Sequence, residues 1–379
     1  MSQAANWRKS RSVEITAHER ALLVQVIWGQ MTREEAAESL SELERLADTA
    51  GAVVIGSITQ RRGRPTPTFY VGEGKLADIQ LACRQADANL VIFDNDLTPQ
   101  QVNNLDLALG IKVIDRTEVI LQIFARRARS AESQIQVELA QLQYLVSRLP
   151  SSKEQQRFKG GIGMRGPGES PLELRNEPML RRIRELKKKL EKIGLRRRTT
   201  RSRRAWPLVC IAGYTNAGKS TLLNAMAHTD AYVDDRLFAT LDTKTRLVHL
   251  SDGGKVLMTD TVGFIRNLPH GLVASFRSTL DEASDADLLL IVTDASHPYF
   301  DDQLAVVLST LKEIGAGTVP SVLLLNKCDL PSASSSLPKI RDQYPEAIPV
   351  SALTGDGLPD VKERIRDAVH HRHADRQPG

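Results

Sequence analysis

The string GYTNAGKS at residues 213–220 constrains this chain more than any other feature. It sits between the apolar run 208–212 and the helix-forming stretch 221–226. It fits G-x-x-x-x-G-K-[ST], a loop that needs a strand to enter it and a helix to leave it. Its glycines let successive backbone N–H groups curl round a polyphosphate, and the helix N-terminus adds partial positive charge. Lys219 is placed to reach the β and γ phosphates and the Ser220 hydroxyl to ligate Mg²⁺. Gly213, Tyr214, Thr215, Asn216, Ala217, Gly218, Lys219, Ser220 and Thr221 are therefore candidate binding residues.

Further motifs end later apolar runs in the order such a site requires. Asp260, Thr261, Val262 and Gly263 follow the run 256–259, where Asp260 can hold a metal through water and the Gly263 amide can face the γ-phosphate. Asn326, Lys327, Cys328 and Asp329 follow the run 322–325. A carboxylate at Asp329 can accept two hydrogen bonds from guanine N1–H and its exocyclic amine, which adenine cannot offer. Ser351, Ala352 and Leu353 suit the turn that closes over guanine O6. Phe238, Ala239, Thr240, Leu241 and Asp242 lie between the first and second motifs, where Thr240 can bring a hydroxyl to Mg²⁺ and γ-phosphate. The expected metal ligands are Ser220 and Thr240, and the expected catalytic groups Lys219, Thr240 and Gly263. Phe264, directly after the D-x-x-G element, can neither donate nor accept a hydrogen bond to an attacking water, so slow intrinsic hydrolysis is expected.

Upstream, short apolar runs alternate with amphipathic stretches. Strands are expected at 21–27, 52–58, 68–71, 89–93 and 111–114, and helices at 34–46, 76–86 and 100–109, with Thr98-Pro99 as a helix start. The period then changes. Ile135, Leu139, Leu142, Val146 and Leu149 form one heptad seam, and Met179, Ile183, Leu186, Leu190 and Ile193 another, separated by the glycine-rich stretch 160–171. The expected fold class is α/β: an N-terminal α/β domain at 1–115, a helical hairpin with a glycine-rich loop and basic linker at 116–204, and a Ras-like P-loop domain with a mostly parallel sheet at 205–379.

Charge is concentrated in the middle. Residues 151–204 carry 18 Lys/Arg against 6 Asp/Glu, a local +12 that leaves −7 for the rest of a chain whose net charge is +5. A basic block on an acidic protein reads as a footprint for a polyanion or as a solvated helix face. Phe158 is its only aromatic residue, so contact through phosphates and shape is favoured over base stacking. No apolar run reaches membrane-spanning length, the first ten residues have no secretory pattern, and Cys83, Cys210 and Cys328 are too dispersed for a disulfide framework or zinc cluster. A monomer in the cytoplasm is expected. Gly72-Glu73-Gly74-Lys75 reads as a turn with a basic edge in preference to a second nucleotide (ATP) loop, and the histidines at 370, 371 and 373 as a solvated tail.

Together YVGEGK (70–75), VIDRT (113–117), QVELAQLQYL (136–145), GGIGMRGPGE (160–169), LFATLD (237–242) and DTVGFIRNLPH (260–270) resemble the HflX family of ribosome-associated GTPases over nearly the whole chain. The resemblance implies GTP hydrolysis with Mg²⁺, binding to the large ribosomal subunit (50S) and its rRNA, and splitting of stalled or stressed 70S ribosomes. An assembly or rRNA-remodelling factor is the alternative, and a switch gripping a protein partner a third. Asn216 implies either a K⁺ requirement or a side chain that pins the loop. Where the family continues its glycine-rich loop as GETQLE, this chain has Gly168-Glu169-Ser170-Pro171-Leu172-Glu173, which is expected to move the start of the second hairpin helix.

Overall fold

The computed structural model describes residues 19–148, 171–201, 205–229, 237–238, 240–267 and 277–375. Contacts divide the chain into two compact units, one formed by Met1–Arg126 with Gln141–Arg182, the other by Arg127–Ala140 with Ile183–Gly379.

The first unit is built on β1 (Arg20–Ile27), β2 (Val53–Arg61), β3 (Leu90–Phe93) and β4 (Lys112–Asp115), in the order β2-β1-β3-β4, with every pair parallel. Parallel strands need crossovers, supplied by α1 (Arg33–Ala50), α2 (Glu73–Gln85) and α3 (Pro99–Leu109). The local chemistry explains their ends. Thr32 and Thr98 each close a capping box, with Glu35 and Gln101 respectively, and Gly51 and Gly110 end α1 and α3 in left-handed backbone. Pro99 sits in the first turn of α3, as Thr98-Pro99 implies.

Three expectations are corrected here, and one helix is added. Residues 68–71 form no strand: Thr66 and Tyr70 pair only as an isolated bridge, and Tyr70 has φ +66°, which extended backbone cannot accommodate. The helix α4 (Arg116–Arg127) had no separate place in the sequence reading; it starts directly from β4. Arg116 is buried and pairs with Asp94 at 2.8 Å and with Glu42, so a residue that reads as surface charge is a core ion network. Residues 196–207, read as a linker, are helical as far as Arg201, since Arg196, Arg197 and Arg198 continue the helix-favouring run of α6. Residues 72–75, read as a turn with a basic edge, instead start a helix: Gly72 is the N-cap of α2, Glu73, Gly74 and Lys75 form its first turn, and Lys75 pairs with Asp78 at 2.7 Å.

The heptad seams appear on α5 (Ala131–Ser147) and α6 (Pro171–Arg201). Leu139 and Leu142 are buried on α5; Ile183 and Leu186 are buried on α6, while Arg181, Arg184, Lys187, Lys188 and Lys189 face solvent. Pro171 begins α6, so the departure from the family pattern coincides with the helix start. The glycine-rich stretch, and Leu149 and Pro150, lie outside the described residues. On the first unit's side, the Tyr144 hydroxyl donates to Asp115 at 2.7 Å, and Arg148 pairs with the same carboxylate.

The second unit carries a six-stranded sheet of order β10-β9-β8-β5-β7-β6. Its strands are β5 (Leu208–Gly213), β6 (Lys244–His249), β7 (Lys255–Asp260), β8 (Leu288–Asp294), β9 (Ser321–Asn326) and β10 (Ile348–Pro349), all parallel except the β6–β7 hairpin. With them run α7 (Lys219–Ala227), α8 (Arg277–Ser284), α9 (Phe300–Glu313), α10 (Pro331–Gln343) and α11 (Leu358–Asp375). One apolar core joins β5, β8 and β9 to Leu222 and Leu223 of α7 and to Val361 and Ile365 of α11. Burial on both faces accounts for the uninterrupted apolar runs of β5 and β8. No helix among the described residues is long and apolar enough to cross a membrane.

Candidate functional site

The site forms where β5, β7 and β9 end, at the carboxyl edge of the parallel sheet, where α/β folds place ligands. β5 is buried along its whole length and delivers the loop 213–218 into α7. Gly218 holds φ +92°, and a Cβ there would collide with the side-chain amide of Asn326. Asn216 also takes left-handed backbone, with φ +61° and an exposed side chain, so its residue type matches the turn itself.

The segment after β7 is stitched along this loop. The Thr215 amide donates to the Phe264 carbonyl at 2.8 Å, and the Phe264 amide to the Gly213 carbonyl at 3.1 Å. The Thr261 hydroxyl donates to the Ile211 carbonyl at 2.7 Å, and the Arg266 amide to the Tyr214 hydroxyl at 2.8 Å. Gly263 thereby lies against Thr215 and Lys219: an added Cβ would sit 2.8 Å from Thr215 Cγ2 and 3.0 Å from Lys219 Nζ. Phe264 itself is 2% exposed, packed away from solvent while its backbone does the pairing.

Three oxygen groups converge beside the loop. Ser220 Oγ lies 2.8 Å from Thr240 Oγ1 and donates to Asp260 Oδ2 at 2.6 Å. The other oxygen, Asp260 Oδ1, is buried without a hydrogen-bond partner, as is the Thr215 hydroxyl. Two hydroxyls and a carboxylate are hard donors, and the orphaned Oδ1 is a buried acceptor in want of a positive group; the set fits Mg²⁺. Burial raises the Asp260 pKa, against the pull of Lys219 and of hydrogen bonds from Ser220 and Thr240. Lys219 is 7% exposed and donates to the Tyr214 carbonyl at 2.7 Å. Desolvation lowers its pKa to about 8, with Asp260 opposing. A buried ammonium at a helix N-terminus is chemically suited to anionic oxygens.

Asn326 fastens the remaining motifs to the loop. Its Nδ2 donates to the Ala217 carbonyl at 2.8 Å, and its Oδ1 accepts from the Ala352 amide at 2.9 Å. Lys327 has φ +65° and pairs with Asp294 at 2.7 Å; Asp329, two residues on, is exposed, and of the Ser351–Leu353 segment Ser351 is buried and Leu353 exposed. Asp294 was absent from the sequence reading; the signal available was its position at the end of β8, in register with Asn326.

Not every candidate side chain joins the site. Phe238 and Leu241 are buried, at 2% exposed each, and Ala239 lies outside the described residues. Asp242 turns to another partner: it accepts the Arg129 and Ser130 amides at 3.1 and 3.2 Å and the Ser130 hydroxyl at 2.6 Å. Ser130 was likewise unforeseen. Among the described residues no group of three His, Cys, Asp or Glu side chains forms a further metal cluster.

Three family descriptions match consecutive stretches of the chain. They are "GTP-binding GTPase N-terminal" over residues 37–125, "GTP-binding GTPase Middle Region" over 127–204, and "50S ribosome-binding GTPase" over 208–327. The GTPase HflX of Caldanaerobacter subterraneus subsp. tengcongensis is 48% identical over 355 residues, spanning 92% of this chain and 80% of that one. The GTPase HflX of Escherichia coli is 40% identical over 358 residues, spanning 93% and 83%. Among solved structures, SsGBP in complex with GDP aligns over 93% of this chain and 99% of its own, with 25% identity and a TM-score of 0.50.

Proposed function

Because this chain belongs to the HflX family of GTPases, we propose that it spends GTP on the large ribosomal subunit, splitting stalled 70S ribosomes in the cytoplasm. The observation that supports the nucleotide chemistry most directly is the convergence of Ser220, Thr240 and Asp260 beside a buried Lys219.

In this reading the amides of 213–218 and the Lys219 ammonium hold the β and γ phosphates. Asp329 selects guanine, and Asn326 keeps the base-reading segment at a fixed distance from the phosphate loop. Ser220 and Thr240, with Asp260 behind them, would hold Mg²⁺, which when bound neutralises charge developing on the transferred phosphoryl group. Gly263 presents its amide to the γ-phosphate, and its lack of a side chain keeps Thr215 and Lys219 in reach. The residue after it contributes backbone only, since the Phe264 ring is buried; unassisted turnover is slow, and the ribosome accelerates it by ordering the Thr240 loop and the segment after Asp260.

The ribosomal half of the proposal is supported by the exposed basic face of α6 in a segment of local charge +12 that nearly lacks aromatic residues. Such a face suits rRNA phosphates and predicts binding that weakens steeply with salt. The test is a sucrose gradient of purified 70S ribosomes with the protein and a non-hydrolysable GTP analogue. Conversion to free subunits is the expected result. Stable binding to the large subunit with 70S particles left intact would assign the protein to subunit assembly instead.

A further inference from the structure

We propose that Asp242 is a positioning residue for GTP hydrolysis: it ties the loop bearing Thr240 to the first turn of α5, so that this helix helps hold Thr240 at the phosphate site. The inference rests on the GTPase reading above and extends it to a contact that the sequence motif conceals.

The geometry is specific. Arg129 and Ser130 immediately precede α5, and Ser130 caps it, its hydroxyl accepting from the Ser133 amide at 3.1 Å. The Asp242 carboxylate takes the two backbone N–H groups that enter this cap and the cap hydroxyl itself, across 112 residues of sequence. Charge-assisted bonds of this kind are the stronger class, and an anion at a helix N-terminus adds to them.

Only Leu241, 2% exposed, separates Asp242 from Thr240. Two residues of chain span at most about 7 Å, so the two ends of this tripeptide cannot move independently. At one end Thr240 Oγ1 lies 2.8 Å from Ser220 Oγ; at the other Asp242 is fixed to the α5 cap. Withdrawing Thr240 therefore requires the carboxylate to let go, the start of α5 to follow, or the backbone at Leu241 to give up its buried position. A triphosphate uses Thr240 and a diphosphate does not, so the tie favours the GTP state selectively.

The test uses the full chain with Mg²⁺. Affinities for GDP and for a non-hydrolysable GTP analogue are measured for the wild type, Asp242→Ala, Asp242→Asn, Ser130→Ala and the Asp242→Ala/Ser130→Ala double variant, together with single-turnover GTP hydrolysis. Asp242→Ala should lose about tenfold in analogue affinity and in hydrolysis while GDP affinity changes less than about twofold. Asp242→Asn, which keeps an acceptor oxygen, should recover part of the loss. Ser130→Ala should show a smaller loss of the same kind, and the double variant should be no worse than Asp242→Ala. Equal losses for both nucleotides, no loss at all, or additive effects of the two substitutions would overturn the tie. Should Asp242→Ala not fold, Ser130→Ala carries the same comparison. A wild type that binds neither nucleotide would remove the GTPase reading, whereas a wild type that binds both, with variants identical to it, removes only the tie.

Discussion

If Lys219 holds the phosphates as proposed, nucleotide binding should depend on pH in a way that can be worked out from its surroundings. In the free protein burial lowers its pKa from 10.5 to about 8, and its one hydrogen bond to the Tyr214 carbonyl at 2.7 Å does not offset the lost hydration. Bound phosphates place anionic oxygens beside the ammonium and return its pKa toward or above the ordinary value. Above pH 8 the free protein has shed a proton that the complex retains, so binding must take one up. With a pKa of about 8, uptake is about 0.1 proton at pH 7 and about three-quarters of a proton at pH 8.5, and affinity falls about tenfold between pH 7 and pH 9.

Calorimetric titration of GDP in two buffers of different ionisation enthalpy, at pH 7 and pH 8.5, measures the proton count directly. Lys219→Arg is the control, because a guanidinium stays charged throughout this range and any titration of the guanine itself is common to both proteins. The wild type should gain the extra fraction of a proton at pH 8.5 and the variant should not. The same count at both pH values, or the same rise in Lys219→Arg, would refute the assignment of a desolvated ammonium waiting for phosphate.

Three more outcomes follow from particular contacts. Asp329→Asn should shift preference from guanosine toward xanthosine nucleotides, whose position-2 oxygen needs a donor; retained GTP selectivity in competition binding would mean that another group reads the base. Gly263→Ala should cost at least about tenfold in single-turnover hydrolysis, because the new methyl would lie 2.8 Å from Thr215 Cγ2 and 3.0 Å from Lys219 Nζ, tighter than side chains pack; an unchanged rate would show that the loop yields freely. Glu118 has its pKa raised to about 7 by burial and then by Asp115, so its favourable contribution to stability is full below the unfolded value of 4.5 and is lost as pH rises through 7. Denaturant titrations should accordingly find Glu118→Gln close to wild type at pH 5 and more stable by about 1–3 kcal/mol at pH 8.

What the sequence made legible was chemistry whose cause is local. A phosphate-type loop declares itself through glycines at fixed spacing, a helix start through Thr98-Pro99 with Gln101 three residues after the cap, and a helix seam through residues such as Leu139, Leu142, Ile183 and Leu186, all of which are buried. Where the cause lies far along the chain, residue type misleads. Arg116 looks like surface charge because nothing near it in sequence announces Asp94 or Glu42, 22 and 74 residues upstream, whose carboxylates, with the Ser39 carbonyl, make its burial tolerable. Residues 68–71 carry strand-forming types, yet Tyr70 holds left-handed backbone and pairs with Thr66 only as an isolated bridge, which no residue type in that run announces.

Asp242 shows the same limit inside the candidate site. Its place in LFATLD, two residues from Thr240, groups it with the nucleotide-facing residues, and no property of the motif separates a hydroxyl that meets Ser220 from a carboxylate that meets Ser130. The distinction comes from where α5 begins, with Ser130 as its cap 112 residues away in sequence. It follows that a GTPase motif can carry, within three residues, one group for the phosphate and one for the rest of the protein. Substitutions at Asp242 should then separate GTP from GDP, whereas substitutions at Lys219, proposed to hold the phosphates of both nucleotides, should not.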